Sequence, residues 1–194
     1  MLIILITFKN KINIKVSIFN KILIVISGYI VLPTLIALPY YFSIYNISVI
    51  DSYFEAISGF TSTGFTIFEN IKQFDQSFIL WRSTSQWVGG LYFLFSIIIL
   101  IDIFDENLKK SLTNFLSFNS TEILKQSFKV LVLYSFLTLI IFFTLKFISF
   151  RNFDAFNFSL SIISSGGFKS VNEINYLLNT DFKIIIFSFT FLIS

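Results

Sequence analysis

The residues best suited to chemistry in this sequence are small and hydroxylated, and they form the run SGFTSTGFT at positions 58–66. Glycine opens backbone dihedral angles that are closed to other residues, so Gly64 can direct backbone carbonyls towards one point. Carbonyl rings can replace the hydration shell of an alkali cation, and the hydroxyls beside Gly64 can add oxygen ligands or bond N–H groups. No carboxylate lies within 57–68, which disfavours calcium and favours a monovalent cation.

The run has a counterpart later in the chain. DSYFEAISGFTSTGFTIFENI (51–71) aligns without a gap with DAFNFSLSIISSGGFKSVNEI (154–174), and the alignment places Gly64 on Gly167. Glycine at both positions is expected to adopt dihedral angles closed to other residues. A single Gly/Ser/Thr run is usually a flexible surface loop, but two aligned copies argue against that alternative. The candidate filter residues are Thr61, Ser62, Thr63, Gly64 and Phe65 in the first copy, and Ser164, Ser165, Gly166, Gly167 and Phe168 in the second.

The composition indicates an integral membrane protein. Of the 194 residues, 55% are hydrophobic and only 13% are charged, too few charges to cover a soluble core of this size. Windows 22–43, 78–101 and 127–148 are each long enough to cross a bilayer as a helix. The absence of cysteine and histidine excludes thiol nucleophiles, His-based triads and Cys/His zinc sites. The net charge of +3 is too small and too scattered to indicate nucleic-acid binding.

Basic residues are distributed unevenly around the first span. Lysines precede it without any acid, whereas acids dominate the segment that follows it. The positive-inside rule therefore predicts a multi-pass protein of the cell inner (plasma) membrane with a cytoplasmic N-terminus. The sequence divides into a cytoplasmic segment (1–21), a first repeat (22–101), a cytoplasmic loop (102–126) and a second repeat (127–194).

Each small-residue run follows a segment too short to cross the bilayer. Residues 52–60 make only about two and a half helical turns. Asp51 and Asp154 stand where an N-cap would begin such a helix. Because the flanking spans are antiparallel, the chain must dip into the membrane and return on the same side. Irregular backbone at that depth must be buried in protein or line a cavity. We therefore predict an all-α membrane protein of tandem span–pore-loop–span repeats with re-entrant half-helices.

Two charged residues near the first loop leave alternatives open. Arg82 either braces the pore loop, by bonding Glu55 or filter carbonyls, or anchors the second span at the interface beside Trp81. Glu55 either tunes cation affinity behind the filter or makes a structural hydrogen bond within the loop. The repeat has Phe158 at the matching position and so does not require the acid, which favours the structural interpretation.

The motifs resemble those of the Trk/Ktr/HKT superfamily of potassium transporters. FEAISGFTSTGFT (54–66) followed by LWRSTSQWVGG (80–90) is similar to the membrane subunit of the Trk branch, and FDAFNFSLSIISSGGF (153–168) is similar to its second pore loop. The resemblance implies a pore of four tandem repeats, with potassium passing backbone carbonyls near Gly64 and Gly167. Glycine at the first position accompanies potassium selectivity in this superfamily, and serine accompanies sodium. The resemblance also implies a homodimer with a cytosolic nucleotide-binding regulatory subunit, and no cofactor.

Two departures from the family pattern stand out. Only two repeats are present, and the last apolar run, 182–194, is shorter than a membrane span, so we expect a fragment of a longer protein. Lys169 follows the second filter segment; it would repel cations if it faced the pore mouth and would be harmless if it pointed sideways. The predicted function is potassium uptake. The alternative is a non-conducting half-pore that needs further repeats or a second chain. The absence of a catalytic dyad disfavours a membrane enzyme.

Overall fold

The structure, a computed structural model, describes residues 17–43, 47–69, 71, 74–100, 123–148 and 150–168, and these contain helices and no strand. The helices are α1 (Ile18–Ser43), α2 (Val49–Phe60), α3 (Gln76–Leu100), α4 (Ile123–Phe147) and α5 (Asn152–Ile163). By length and composition α1, α3 and α4 can cross a membrane. The predicted all-α membrane fold is confirmed.

Some predicted features lie outside the described residues. These are most of the N-terminal segment 1–21, most of the loop 102–126, Lys169 and the last apolar run 182–194. Both predicted filter segments, 61–65 and 164–168, lie within the described residues.

The internal repeat is visible in the limits of the two short helices. Both α2 and α5 have 12 residues, and they begin and end at equivalent positions of the aligned sequence. Neither is long enough to cross a bilayer, which needs about 20 residues in a helix. Each half-helix therefore follows a long span, as the alignment predicts.

The prediction that Asp51 and Asp154 are N-caps is wrong. The N-cap of α2 is Ser48, whose hydroxyl accepts from the backbone N–H of Asp51 at 3.0 Å and donates to its Oδ2 at 2.7 Å. The N-cap of α5 is Arg151, which makes no side-chain cap bond and pairs with Asp154 at 2.8 Å. Both acids lie in the first turn, where a carboxylate still meets the positive end of the helix dipole.

Helix α3 runs antiparallel to α1. The indole Nε1 of Trp81 donates to the carbonyl of Ile36 at 3.1 Å, and further along α3 the Tyr92 hydroxyl donates to the carbonyl of Val25 at 3.0 Å. The partner number falls as the α3 number rises, which fixes the direction. The same inversion relates α3 to α4, because Trp87 donates to the Thr138 hydroxyl at 3.0 Å and the later Gly90 faces the earlier Tyr134.

The half-helix α2 lies along α3 in the same direction. Glu55 contacts Arg82, and one helical turn or more later on both helices Phe60 faces Gly89. Gly89 lies near the middle of α3, so α2 ends at mid-length of a membrane span. A side chain larger than hydrogen at Gly89 would overlap the backbone of Phe60.

The second half-helix, α5, uses the same span in the same way. Ser161 lies beside Gln86, and Ser164 lies beside Gly90. Helix α3 therefore belongs to two apolar cores. One, with α1 and α2, contains Ala37, Tyr40, Ala56 and Phe78. The other, with α4 and α5, contains Leu91, Tyr134, Ile141, Leu145, Phe150, Ala155, Phe158, Ile162 and Ile163. The central position of α3 brings both small-residue runs to one side of it.

Candidate functional site

The first small-residue run turns sharply where α2 ends. Ser62 has a left-handed backbone with φ 55°, which places it in the position after the helix C-cap where such a conformation is common. The N–H of Thr63 donates to the carbonyl of Ser58 at 3.0 Å. Gly64 has φ 78°, and the Ser58 hydroxyl donates to the carbonyl of Phe65 at 2.6 Å. The segment therefore folds back on the helix that precedes it.

The second run repeats the main bonds of this path. Ser165 has φ 52°, and the N–H of Gly166 donates to the carbonyl of Ser161 at 2.7 Å. The Ser161 hydroxyl contacts the carbonyl of Phe168 at 3.4 Å and that of Gly166 at 3.1 Å. One expectation is wrong: among the described glycines Gly64 has positive φ and Gly167 does not. In this segment Ser165 has the left-handed backbone conformation, because the turn at the end of the helix imposes that conformation regardless of residue type.

The two runs meet at their glycines. A Cβ added to Gly64 would lie 2.7 Å from the carbonyl carbon of Gly167, and one added to Gly167 would lie 3.3 Å from the carbonyl oxygen of Thr63. The backbones touch here without any side chain between them. Glycine is therefore required at position 64 both by its dihedral angle and by its neighbour.

Both half-helices end at one cavity of about 770 Å³. The turns of both segments line it, together with aromatic residues of the spans: Thr61, Ser62, Ser164, Ser165, Tyr29, Phe93 and Tyr134 among them. The C-terminal end of a helix carries partial negative charge from its unpaired carbonyls. Two such ends at one cavity favour a cation there and disfavour an anion.

A buried ion pair holds the end of the first segment, at Thr66 and Ile67. Arg82 and Glu55 are 2% and 0% exposed, and their Nη2 and Oε1 atoms are 2.8 Å apart. Arg82 also donates to the Thr66 hydroxyl at 3.0 Å, and the N–H of Ile67 donates to Glu55 Oε2 at 3.1 Å. The geometry has the contacts expected of a loop brace at Arg82, which bonds Glu55, and of a structural hydrogen bond at Glu55, which accepts from the loop backbone.

The path of the chain follows from these contacts. Helix α2 runs beside α3 and ends at Phe60, at the level of Gly89. The segment that follows it returns along α3, so that Thr66 lies at the level of Arg82. The second segment does the same, because the ring of Phe168 lies 4.1 Å from the Arg82 guanidinium carbon. Each segment thus goes in and comes back along one span, which is the path expected of a re-entrant loop.

The predicted site residues differ in exposure between the repeats. Thr61, Thr63, Phe65, Ser165 and Gly167 are exposed, and Ser62, Gly64 and Gly166 are half-buried. Ser164 and Phe168 are buried, so Phe168 packs under Arg82 whereas its equivalent Phe65 is 68% exposed. The structure brings the two glycines together and places Glu55 and Arg82 behind the first segment.

A family comparison gives this geometry its context. The family described as TrkH, cation transport protein, matches residues 3–193. The chain belongs to the TrkH family. The match includes the three candidate membrane spans and both small-residue segments.

Similar proteins carry potassium or cation transport in their names. The Trk system potassium uptake protein TrkH of Salmonella typhimurium (strain LT2) is 28% identical over 155 residues, which cover 76% of this chain and 32% of the relative. An uncharacterized cation transporter of Methanocaldococcus jannaschii, MJ1485, is 40% identical over 55 residues, covering 28% of this chain and 12% of the relative. The crystal structure of the potassium transporter TrkH from Vibrio parahaemolyticus has a TM-score of 0.71 at 24% identity, covering 94% of this chain and 37% of the other. The chain thus spans about a third or less of the length of these relatives.

Sequence reasoning missed one residue of the site in this TrkH-family chain. Gln86 lies fully buried on α3, and its amide faces the backbone of the second segment at Gly167 and Phe168. The sequence offered a signal, because a glutamine one helical turn after Arg82 shares its face of the helix.

Proposed function

We propose that the chain supplies two filter strands of a pathway for potassium uptake across the cytoplasmic membrane. The observation that carries this proposal is the meeting of two equivalent non-helical segments at Gly64 and Gly167, each beginning where a half-helix ends. Membership of the TrkH family of cation transport proteins, and relatives named as potassium uptake proteins, support it.

The chemistry is the exchange of water ligands for protein oxygens. Backbone carbonyls of the segments 61–65 and 164–168 would replace the hydration shell of K⁺, and the hydroxyls of Ser58 and Ser161 hold carbonyls in place from behind. No acid occurs in either segment, so the negative end of each half-helix supplies the field. Carbonyl dipoles hold a monovalent cation weakly enough for it to leave, as conduction requires. Glycine at position 64 is the residue that favours potassium over sodium.

Two strands enclose only part of a four-strand ring. We therefore propose that conduction requires further filter strands, supplied by additional residues or by a second chain, and that residues 1–194 alone are non-conducting. The alternative is a pore formed by two copies of this chain.

Complementation separates these possibilities. A strain unable to grow on low potassium would receive either residues 1–194 alone or the complete gene product, meaning residues 1–194 with any residues that the gene encodes around them, and rubidium uptake would be the readout. We expect growth and uptake with the complete gene product and neither with residues 1–194 alone. Uptake by residues 1–194 alone would favour the two-copy pore, and no uptake by either, with both present in the membrane, would contradict the proposed function.

The proposal extends to location and partners. The protein would lie in the inner membrane of the cell. The lysine-rich segment before α1 would face the cytoplasm. By resemblance to the superfamily, the transporter would be a homodimer with a cytosolic nucleotide-binding regulatory subunit. Chemical cross-linking in native membranes, followed by sizing of the tagged protein, would test the dimer.

A further inference from the structure

Gln86 belongs to the first repeat but contacts the second filter segment. It is 0% exposed, and with its amide oriented to satisfy its neighbours Oε1 accepts from the N–H of Phe168 at 2.8 Å and from that of Gly167 at 3.1 Å. Its Nε2 donates to the Ser161 hydroxyl at 2.9 Å. One side chain therefore makes three hydrogen bonds to the loop of the other repeat.

These bonds determine where a carbonyl points. The N–H of Phe168 and the carbonyl of Gly167 belong to one peptide group, and the described chain has no cis peptide bond. In a trans peptide the N–H and C=O point in opposite directions. With the N–H held by Gln86, the carbonyl oxygen of Gly167 is directed to the opposite side of the peptide, away from α3.

The bonds also hold the part of the strand that α5 does not hold. In segment 164–168 the N–H groups of Ser165 and Gly166 bond carbonyls of α5, whereas those of Gly167 and Phe168 bond Gln86. A buried N–H left without an acceptor is costly, and the chain would rotate to find another. An added Cβ at Gly166 would overlap the Gln86 amide, which shows how closely the side chain is packed against this strand.

We propose that Gln86 is a positioning residue for the second filter strand, which fixes the direction of the Gly167 carbonyl and thereby the preference for potassium over sodium. This inference rests on the proposed function. It predicts that a residue on a span of the first repeat controls selectivity at the second.

The test is a ratio measured within one sample. Rubidium and sodium uptake by the complete gene product would be compared for wild type, Gln86→Leu and the control Ser83→Ala, a buried α3 serine whose hydroxyl bonds within its own helix. The ratio does not depend on the amount of protein, so a loss of folding alone leaves it unchanged. We expect Gln86→Leu to lower the rubidium-to-sodium ratio by about tenfold, since it removes the acceptor of the N–H groups of Gly167 and Phe168, and Ser83→Ala to keep the wild-type ratio.

A shorter amide provides the second variant. Gln86→Asn keeps the amide but cannot reach the N–H of Phe168 without backbone movement, so this variant should also lower the rubidium-to-sodium ratio. It tests the proposal if Gln86→Leu does not accumulate in the membrane. A wild-type ratio in Gln86→Asn or Gln86→Leu at normal abundance would overturn the role of Gln86 and leave the proposed function intact. Absence of rubidium uptake by wild type itself would overturn both.

Discussion

Gly64 and Gly167 occupy equivalent places in the repeat but differ in backbone conformation. Gly64 has φ 78°, a region that side chains with a Cβ enter at a cost of roughly 1–2 kcal/mol, whereas Gly167 does not have positive φ. Both lie against the opposite strand. The two positions therefore separate the effect of backbone strain from that of crowding.

The first prediction compares serine at these two glycines. Gly64→Ser should admit sodium and reduce potassium uptake by about tenfold or more, because the new Cβ meets the Gly167 backbone in a strained conformation. Gly167→Ser should have the smaller effect, since it adds crowding without positive φ. Uptake of rubidium and sodium by the complete gene product measures both. Unchanged potassium preference in Gly64→Ser would contradict its place in the filter.

The second prediction concerns the buried pair of Glu55 and Arg82. Glu55→Ala or Arg82→Ala leaves one charge buried without its partner and should destabilise the protein by about 3–5 kcal/mol. The double variant should lose less than the sum of the two, because no unpaired charge is left behind. Thermal unfolding of the detergent-solubilised protein measures each variant.

A control for this pair exists in the second repeat. In this pair the side chain of Arg151 is 62% exposed and that of Asp154 is 3% exposed, so Arg151→Ala should cost less than Arg82→Ala, because it removes a solvated charge and leaves Asp154 at the positive end of the α5 dipole. Equal losses from Arg82→Ala and Arg151→Ala, or simple additivity of Glu55→Ala and Arg82→Ala, would argue against a brace at the first loop.

At the scale of the elements, each half-helix is tied to the segment that follows it by one serine. Ser58 of α2 and Ser161 of α5 are equivalent in the alignment, and each hydroxyl bonds the carbonyl of the equivalent phenylalanine, Phe65 or Phe168. The shorter bond, 2.6 Å, belongs to Ser58. In the second repeat Gln86 supports the strand as well.

The third prediction follows from this difference. Ser58→Ala should weaken the apparent affinity for potassium several-fold, by about the net worth of one hydrogen bond, roughly 1 kcal/mol. Ser161→Ala should have an effect at least as large, because it removes the 3.4 Å bond to Phe168 together with the 3.1 Å bond to the Gly166 carbonyl and the acceptor of the Gln86 amide. Ser96→Ala, which removes a hydroxyl bonded within α3, is the control. The concentration dependence of rubidium uptake reports the affinity, and equal values for all three variants would contradict the prediction.

The alignment of the two repeats predicted the elements better than the details of their ends. It placed two half-helices correctly because a ladder of backbone bonds depends on many residues at once. It named Asp51 as the N-cap, but Ser48, three residues earlier, forms a hydrogen-bonded cap with it. It expected unusual dihedral angles at glycine, but Ser62 and Ser165 also adopt them, because the end of a helix imposes its turn on whatever residue follows.

The orientation of the molecule in the membrane can be tested by cysteine labelling. The chain contains no cysteine, so a single introduced cysteine is a unique label site. Asp75 precedes α3 and Lys125 lies in the first turn of α4, and because these spans are antiparallel the two exposed residues are expected on opposite sides of the membrane.

The fourth prediction uses these two positions. Asp75→Cys should react with a membrane-impermeant maleimide added to intact cells, and Lys125→Cys should react only after the membrane is opened, as the positive-inside rule requires. Labelling of the purified, tagged protein measures both. The reverse pattern would invert the predicted topology, and reaction of both in intact cells would contradict the antiparallel arrangement.

Partners that are distant in sequence escaped prediction at this scale. The alignment identified both loops, and the spacing of Gln86 from Arg82 placed both on one helix face, but neither copy indicated that Gln86, in a span of the first, would bond the backbone of the second. Such a contact depends on how two repeats pack, and a repeat pattern describes each copy by itself. For Arg82 the sequence left open a brace of its own loop or an anchor beside Trp81, and its stacking on Phe168 of the other loop was not predicted for the same reason.

The sharing of α3 between the two loops has a consequence for biosynthesis. Chains are made from the N-terminus at about 5–20 residues per second, so α3 is complete before α5 leaves the ribosome. The second loop therefore arrives at a surface that already exists, with Arg82 and Gln86 in place. The first loop precedes α3 and has to wait for the span that holds it. The two halves of the repeat, alike in sequence, are thus assembled in opposite order.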